Sequence, residues 1–161
     1  MKTLKTLAAV VIAALTLSLT SCGKDAEDLI IGSWEMISAT YTMTTSGLTG
    51  DYAQYNGTQT ETETPAAGES TVMTFQKDGT YTNVNTDEDG TYTTSGTYTV
   101  KDDKLTMTMT EGNQTETMTF NIDNIDKKNM VISYSETGTE EVVPGMTATM
   151  SVTIKINLTK K

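Results

Sequence analysis

From Ile30 onward the chain alternates apolar and polar residues, and this alternation predicts β-strands. The last segment shows it most clearly, because every second residue from Met146 to Leu158 is apolar and the residues between them are Thr, Ser, Lys or Asn. A period of two places one set of side chains on each face of a strand. We therefore expect one face of this strand in a core and the other in water. The same pattern recurs around Leu105–Met109, Met118–Ile122, Met130–Tyr134, Met73–Phe75, Tyr81, Tyr92 and Tyr98–Val100.

Short polar segments rich in Gly, Asn and Asp separate the predicted strands. Such residues tolerate the backbone conformations of tight hairpin turns, and the segments are too short for crossover helices. Consecutive strands should therefore pair antiparallel, in an all-β, up-and-down meander of about eight strands that closes into a barrel. Gly96, in the middle of the Tyr92–Val100 segment, is expected at a bulge or a corner. The turn segments are Lys77–Gly79, Asp87–Gly90, Lys101–Lys104, Glu111–Asn113 and Asp126–Asn129.

A long polar stretch from Ser46 to Ser70 interrupts this regular spacing. It contains several glycines and Pro65, and Tyr52 and Tyr55 lie near its start. Loops of this length are usually functional or disordered. We expect it to lie over the mouth of the barrel, and a short extra strand around Thr58 to Thr64 stays open.

The first 22 residues indicate export and lipidation. Lys2 and Lys5 precede an apolar run that is too short to span a bilayer comfortably, which is typical of a signal peptide. The run ends in Leu19-Thr20-Ser21-Cys22, which resembles the lipobox of bacterial lipoproteins. The resemblance implies cleavage before Cys22 and lipid on its thiol and its new amino group. An ordinary secreted protein with an incidental Cys22 is the alternative.

The chain is thus expected to consist of a cleaved signal peptide (1–21), an acidic tether (22–28) and one barrel domain (29–161). About 140 residues remain after cleavage, which is the size of one ordinary domain. Cys22 is the only cysteine, so no intramolecular disulfide can form. The expected location is the cell envelope, at the outer membrane, with the lipid on Cys22 as the anchor.

The composition excludes several classes of function. The formal net charge is −10, and it becomes −12 after cleavage, with 9 basic against 21 acidic residues, because Lys2 and Lys5 are lost. So negative a surface repels nucleic acid and anionic head groups, which leaves the lipid as the expected membrane contact. The sequence contains neither arginine nor histidine. It therefore lacks the usual bidentate partner for phosphate and the commonest proton-transfer side chain and metal ligand.

Gly32-Ser33-Trp34, directly before the first predicted strand, resembles the Gly-x-Trp motif of the lipocalin and lipocalin-like superfamily. With the strands that follow, and with the Phe75–Tyr81 hairpin, the whole mature chain is similar to the small lipocalin-like domains of Gram-negative lipoproteins. The resemblance implies that Gly32 and Trp34 close one end of the barrel. It also implies an arginine on the last strand that covers the Trp, and here Lys155 is the nearest substitute. A plain core role for Trp34 is compatible with the same fold.

Methionines are frequent on the predicted apolar faces. Met is flexible and polarisable, so these side chains suit a pocket for variable apolar ligands, although they equally suit a solidly packed barrel. The expected ligand-binding residues are Met73, Phe75, Met107, Met109, Met118, Phe120, Met130 and Met150.

Metal and catalytic motifs are weak. Asn85, Asp87, Asp89 and Gly90 match the first half of a calcium-binding EF-hand loop, but Gly96 stands where a bidentate Glu is needed, so an acidic hairpin turn is favoured. The carboxylate pairs have the composition of turns or solvated loops, and no nucleophile has a recognisable activating base. We expect no enzymatic activity, cofactor or metal. The pairs are Glu61 with Glu63, Asp102 with Asp103, and Glu140 with Glu141.

Two functions follow from these observations. The first is a lipid-anchored barrel that binds a small hydrophobic ligand in its interior. The second is a structural lipoprotein with a solid barrel whose loops or edge contact another envelope protein.

Overall fold

Most of the described residues of the protein lie in antiparallel strands. The computed structural model describes residues 26–111 and 114–161, so the predicted signal peptide (1–21) and Cys22 lie outside the described residues. A short helix, α1 (Ala26–Ile30), precedes the sheet, and a 3₁₀ helix (Gly50–Tyr55) follows the first strand. The strands are β1 (Gly32–Ser46), β2 (Gly57–Glu63), β3 (Ser70–Phe75), β4 (Thr80–Asp87), β5 (Gly90–Lys101), β6 (Lys104–Glu111), β7 (Gln114–Ile125), β8 (Asn129–Val143) and β9 (Met146–Lys160).

Eight of these strands form a closed barrel. β1 pairs with β3, β3 to β9 follow one another as a meander, and β9 pairs with β1 to close the ring. The predicted all-β, up-and-down barrel is therefore confirmed. β2 is an addition to it, because it pairs with β1 on the edge that β3 occupies further along the strand. The extra strand that the sequence left open around Thr58 to Thr64 is this β2.

The barrel is closed at one end and split at the other. β1 pairs with β3 over Gly32–Glu35 and with β2 from Ala39 onward. Between these two stretches, the pairing of β1 with β9 shifts its register between Met36 and Ser38. On the opposite side, β7 and β8 pair only between Asn121–Ile125 and Met130–Ser133. Beyond these rungs the strands separate into two sheets, β3–β7 and β2-β1-β9-β8. We call this region the split end and the region around Trp34 the closed end.

The closed end holds the packed core. Trp34 is fully buried at its centre, and its Nε1 donates a hydrogen bond to the carbonyl of Ile30 at 2.6 Å. α1 packs against β5 and β7, so it covers this end of the barrel. Ala26–Asp28, expected in the tether, already belong to α1. The largest fully buried side chains are Trp34, Phe75, Ile30, Leu105, Met130 and Ile132.

Lys160, rather than Lys155, covers Trp34. The Lys160 Nζ lies 4.7 Å from the centre of the Trp34 ring and donates hydrogen bonds to the carbonyls of Leu29 and Ile31 at 2.9 and 2.7 Å. Lys155 points to the other face of β9 and forms an exposed ion pair with Asp123 at 3.6 Å. The expected substitution by Lys155 is therefore wrong. The reason is the strand period of two, which puts Lys160 on the same face as Leu158.

Gly32 leaves room for this lysine. Its φ is +125°, and a Cβ added there would lie 2.8 Å from the Lys160 Cε. Such a backbone conformation favours glycine. Gly32, the first residue of the Gly-x-Trp motif, thus permits the contact between Lys160 and Trp34, the third residue.

At Gly96 the strand continues without a bulge. No register shift interrupts the pairing of β5 with β4 or β6, so the expected bulge is wrong, although β5 does change partners at this residue, as a barrel corner requires. A Cβ at Gly96 would clash with the Thr108 carbonyl oxygen and would lie 2.9 Å from the Tyr81 ring. Glycine is needed because neighbouring strands approach too closely for a side chain.

The split end does not form a full core. The apolar face of β9 is buried at Leu158 and Ala148, but Val152 is 37% exposed, so water reaches the middle of a face expected to be covered throughout. Tyr41 and Met43, which pair with Ile154 and Val152, are also exposed.

Gly96→Ala should lower the free energy of unfolding by roughly 1–3 kcal/mol, because overpacking against a fixed backbone carbonyl forces the strands apart. Gly138→Ala is the control, since a Cβ at Gly138 meets nothing within 4 Å. It should change stability by less than about 0.5 kcal/mol. Urea unfolding followed by Trp34 fluorescence measures both, and equal midpoints would contradict the explanation.

Lys160→Met and Lys155→Met form a second matched pair. Loss of the Lys160 ammonium leaves two carbonyls without their donor and should destabilise the protein by about 1.5–3 kcal/mol. Lys155 forms only an exposed ion pair, so its loss should cost at most about 1 kcal/mol. The same urea titration decides between them. A larger loss of unfolding free energy in Lys155→Met than in Lys160→Met would refute the assignment of Lys160 as the lysine that covers Trp34.

Candidate ligand-binding site

A cavity opens at the split end, on the inner face of the β3–β7 sheet. Its volume is about 220 Å³. It is lined by Met73, Tyr81, Asn83, Thr94, Met107, Met109, Glu116, Met118 and Phe120. Four methionines and two aromatic rings make the wall largely apolar, and three polar side chains interrupt it.

The strand register explains why these residues meet. Met73 pairs with Asn83, and Asn83 pairs with Thr94, so one row of side chains crosses β3, β4 and β5 on the same face. Met107 pairs with Met118 in the same way across β6 and β7. Cross-strand partners lie about 5 Å apart on one face of a sheet, so each row forms a continuous strip of wall.

Gly96 lies between two residues of the cavity wall. It pairs with Tyr81 on one side and with Met109 on the other, and both of these partners line the cavity. The Tyr81 ring packs over Gly96, because a Cβ there would lie only 2.9 Å from it, so the glycine permits this position of the ring. The close strand approach that demands glycine therefore also shapes the cavity.

Aromatic contacts separate the cavity from the core beneath it. Phe75 packs against Tyr81 with ring centres 6.3 Å apart and against Tyr98 at 4.9 Å in an edge-to-face arrangement. Phe120 meets Tyr134 at 6.1 Å, just beyond the last paired rung between β7 and β8. These rings fill the barrel below the cavity, so the cavity is a pocket and not a channel through the barrel.

The polar residues give the cavity a negative character. Glu116 lies on β7 opposite Met109. Burial, and secondarily the charge of Glu116, raises the pKa of the Tyr81 hydroxyl. The Asn83 Oδ1 atom is buried and has no hydrogen-bond partner among the described residues. Buried polar atoms usually have a partner, so an unpaired one beside a cavity indicates a site for one.

The structure distributes the eight residues predicted for ligand binding over three places. Met73, Met107, Met109, Met118 and Phe120 line the cavity. Phe75 and Met130 lie in the packed core of the closed end, where they are at most 1% exposed. Met150 lies on the part of β9 that pairs with Thr45 and Gly138, in the sheet across from the cavity wall. Gly32 and Trp34 lie at the closed end.

Sequence reasoning missed Tyr81, Asn83, Thr94 and Glu116 as parts of one site. The signal was present, since Asn83 is two residues after Tyr81, and Glu116 is two residues before Met118. Residues two apart share a face of a strand. Apolar alternation alone does not mark Asn83, Thr94 and Glu116, because these residues are polar.

The segment from Ser46 to Ser70 does not cover the cavity, as none of the lining residues comes from it. Its middle part forms β2, which is held to β1 by threonine pairs such as Thr40 with Thr62 at 3.0 Å and Thr44 with Thr58 at 3.0 Å. The Asn56 side chain fixes the loop before β2 by bonding both the N–H and the carbonyl of Leu48. The expected position over the mouth is therefore wrong.

The acidic residues considered for calcium form a hairpin turn. The Asp87 carboxylate accepts hydrogen bonds from the backbone N–H groups of Asp89 and Gly90 and from the Tyr92 hydroxyl. The bond from Tyr92 is the main cause that lowers the pKa of Asp87. Within residues 26–111 and 114–161, no group of three or more Cys, Asp or Glu side chains is arranged to hold a metal ion.

The carboxylate pairs have structural positions as well. Asp102 and Asp103 form the two-residue turn between β5 and β6 with φ angles of 50° and 56°, as a tight hairpin of this kind requires. Glu61 and Glu63 are exposed on β2. Glu141 accepts a hydrogen bond from the Gly145 N–H in the turn before β9.

No helix in the described part of the chain has the length and apolar character needed to cross a membrane.

The match to one protein family agrees with this architecture. No curated protein matches the chain. The family model of the lipocalin-like domain matches residues 30–132, which is more than half of the chain and extends from the end of α1 into β8. Together with the closed antiparallel barrel and the buried tryptophan at its closed end, this match shows that the chain belongs to the lipocalin-like domain family.

Proposed function

We propose that the protein is a lipid-anchored lipoprotein of the cell envelope that binds one small apolar molecule in the cavity of its split end. The observation that carries the proposal is the 220 Å³ space walled by Met73, Met107, Met109, Met118 and Phe120. An apolar cavity of about 150 Å³ in another protein takes up benzene. The space here therefore accommodates a compound of one or two rings or a short alkyl chain.

The methionines support this function. Their unbranched side chains have three rotatable bonds and a polarisable sulfur, so they adapt to ligands of different outline. The cavity also lies where the two sheets separate, so a ligand can enter without breaking a strand pairing. The packed closed end keeps the fold intact while the split end stays open.

The proposed anchor gives the barrel an orientation. α1 begins four residues after Cys22 and packs at the closed end, beside Val100 to Asp103. A lipid on Cys22 would therefore hold the closed end toward the outer membrane and leave the split end facing away from it. Lys101, Lys127 and Lys128, which lie in or beside the turns of the closed end, would then face the lipid surface.

A second candidate function is contact with another envelope protein. The observation that favours it is the exposed apolar strip of Tyr41, Met43 and Val152 on the inner face of the β2-β1-β9-β8 sheet. Exposed apolar patches often mark protein contacts. Cross-linking in intact cells through a photoreactive residue at Met43 should trap one dominant partner if this function holds.

For ligand binding, the test uses 2-naphthylmethanol and protein held in phosphatidylcholine nanodiscs, with empty nanodiscs as the blank. Met118→Trp should lower the affinity about tenfold, a change of about 1.4 kcal/mol, because the larger ring fills the space. Met43→Trp is the control, since Met43 is exposed to a similar degree as Met118 (45% against 37%) but lies in the opposite sheet and does not line the cavity. Isothermal titration calorimetry measures the affinity of both variants for 2-naphthylmethanol. Absence of binding to the unmodified protein would refute the proposal.

For the anchor, Cys22→Ser should abolish metabolic labelling with palmitate and move the protein out of the membrane fraction, because the thiol that accepts the lipid is gone. Lys24→Ala, two residues further on, should leave labelling and fractionation unchanged. Labelled Cys22→Ser protein in the membrane pellet would exclude Cys22 as the attachment site.

A further inference from the structure

The cavity contains a carboxylate and an unpaired acceptor but no positive side chain. Glu116 and Asn83 belong to its lining, and none of the nine lining residues is a lysine. We infer that the cavity selects small apolar molecules that carry a primary ammonium group over those that carry a carboxylate. The inference rests on the proposed function, because it specifies the ligand class of the same cavity.

The Glu116 carboxylate is placed to meet such a group. A row of cross-strand partners runs from Tyr81 through Gly96 and Met109 to Glu116. Tyr81, Met109 and Glu116 all line the cavity, so the apolar part of a ligand can contact Tyr81 and Met109 while its polar end reaches Glu116. Glu116 is exposed, so water and salt weaken the attraction between its carboxylate and a bound ammonium group without changing its sign. A carboxylate in the same place would meet repulsion instead.

Asn83 supplies a hydrogen-bond acceptor. Its Oδ1 is buried without a partner among the described residues, and its neighbour across β5 is Thr94. Rotation about the terminal torsion of an asparagine is soft. Because the oxygen gives up no hydrogen bond when it turns, it can accept one from an ammonium or a hydroxyl group in the cavity.

The distribution of charge over the whole barrel favours the same ligand. Lysines are concentrated at the closed end, and the described loops and turns that join strands at the split end (47–56, 64–69, 88–89 and 144–145) contain none. Acidic residues occupy these loops and the strand ends beside them. They are Asp51, Glu69, Asp87, Glu88, Asp89, Glu140 and Glu141.

This asymmetry affects approach as well as binding. A cleft lined by charge of one sign focuses the field, raises the local concentration of ions of the opposite sign and speeds their association. At the split end these ions are cations. Anionic amphiphiles, including fatty acids, are repelled before they reach the cavity.

The size of the cavity limits the source of the ammonium group. A phospholipid with two acyl chains exceeds 220 Å³ several times over, so a membrane lipid with an amine head group cannot enter with its chains. The ligand class is therefore a free amine with one compact apolar group. Size-matched aromatic compounds test this without interference from acyl chains.

The experiment compares 2-naphthylmethylammonium, 2-naphthylmethanol and 2-naphthoate by calorimetry, on the full protein in the same nanodiscs. The ammonium compound should bind about tenfold tighter than the carboxylate at low salt, and the difference should shrink as salt is added. Glu116→Gln should reduce the affinity for the ammonium compound and leave that for the alcohol unchanged. Asn83→Ala should reduce both, since both compounds donate hydrogen bonds.

Glu140→Gln is the matched control, because it removes an exposed charge at the split end that does not line the cavity. It should change the affinity for the ammonium compound less than about twofold, because salt screens the interaction between the ligand and an exposed charge outside the cavity. Equal affinities for ammonium and carboxylate, with the alcohol still bound, overturn the inference and leave the proposed function intact. If 2-naphthylmethanol does not bind either, both the proposed function and this inference are wrong.

Discussion

The pairing of β1 with β9 is the constraint on which the rest of the structure depends. It runs along nearly the whole length of both strands and converts an open meander into a barrel. β1 then has only one free edge, and each residue on that edge can pair with one partner. β3 takes the first four residues and β2 takes those after the register shift, so β3 and β1 must separate. The split end thus lies where β2 replaces β3 beside β1 and where, on the opposite side, β7 and β8 stop pairing.

Much of this architecture could be predicted from the sequence because local rules govern it. Alternation fixed which residues of β9 face inward, and Gly, Asn and Asp marked the hairpins. The same rule applied one position further would have identified Lys160 as the residue that covers Trp34, since it continues the series that ends at Leu158. Lys155 lies on the same strand, but the alternation places it on the water face.

The split and the cavity could not be predicted, because they depend on pairing between distant segments. β2 contains no apolar residue to show which face it buries or which strand it joins. Met130 and Met150 follow the same alternation as Met118. Met130 nevertheless lies in the core, whereas Met150 lies at the split end, where the two sheets have separated. Their different fates follow from how far β7 and β8 stay paired, and that distance is a property of the assembled sheet.

The division into two ends also separates two physical tasks. At the closed end, burial is nearly complete, and the ammonium of Lys160 satisfies the carbonyls of Leu29 and Ile31 while covering Trp34. At the split end, the backbone edges diverge, methionines form an adaptable wall, and acidic side chains dominate the charge. Stability drawn from one end permits an open, negatively charged cavity at the other. Because α1 packs at the closed end, the lipid proposed on Cys22 would direct the cavity away from the membrane, where the proposed amine ligand could reach it.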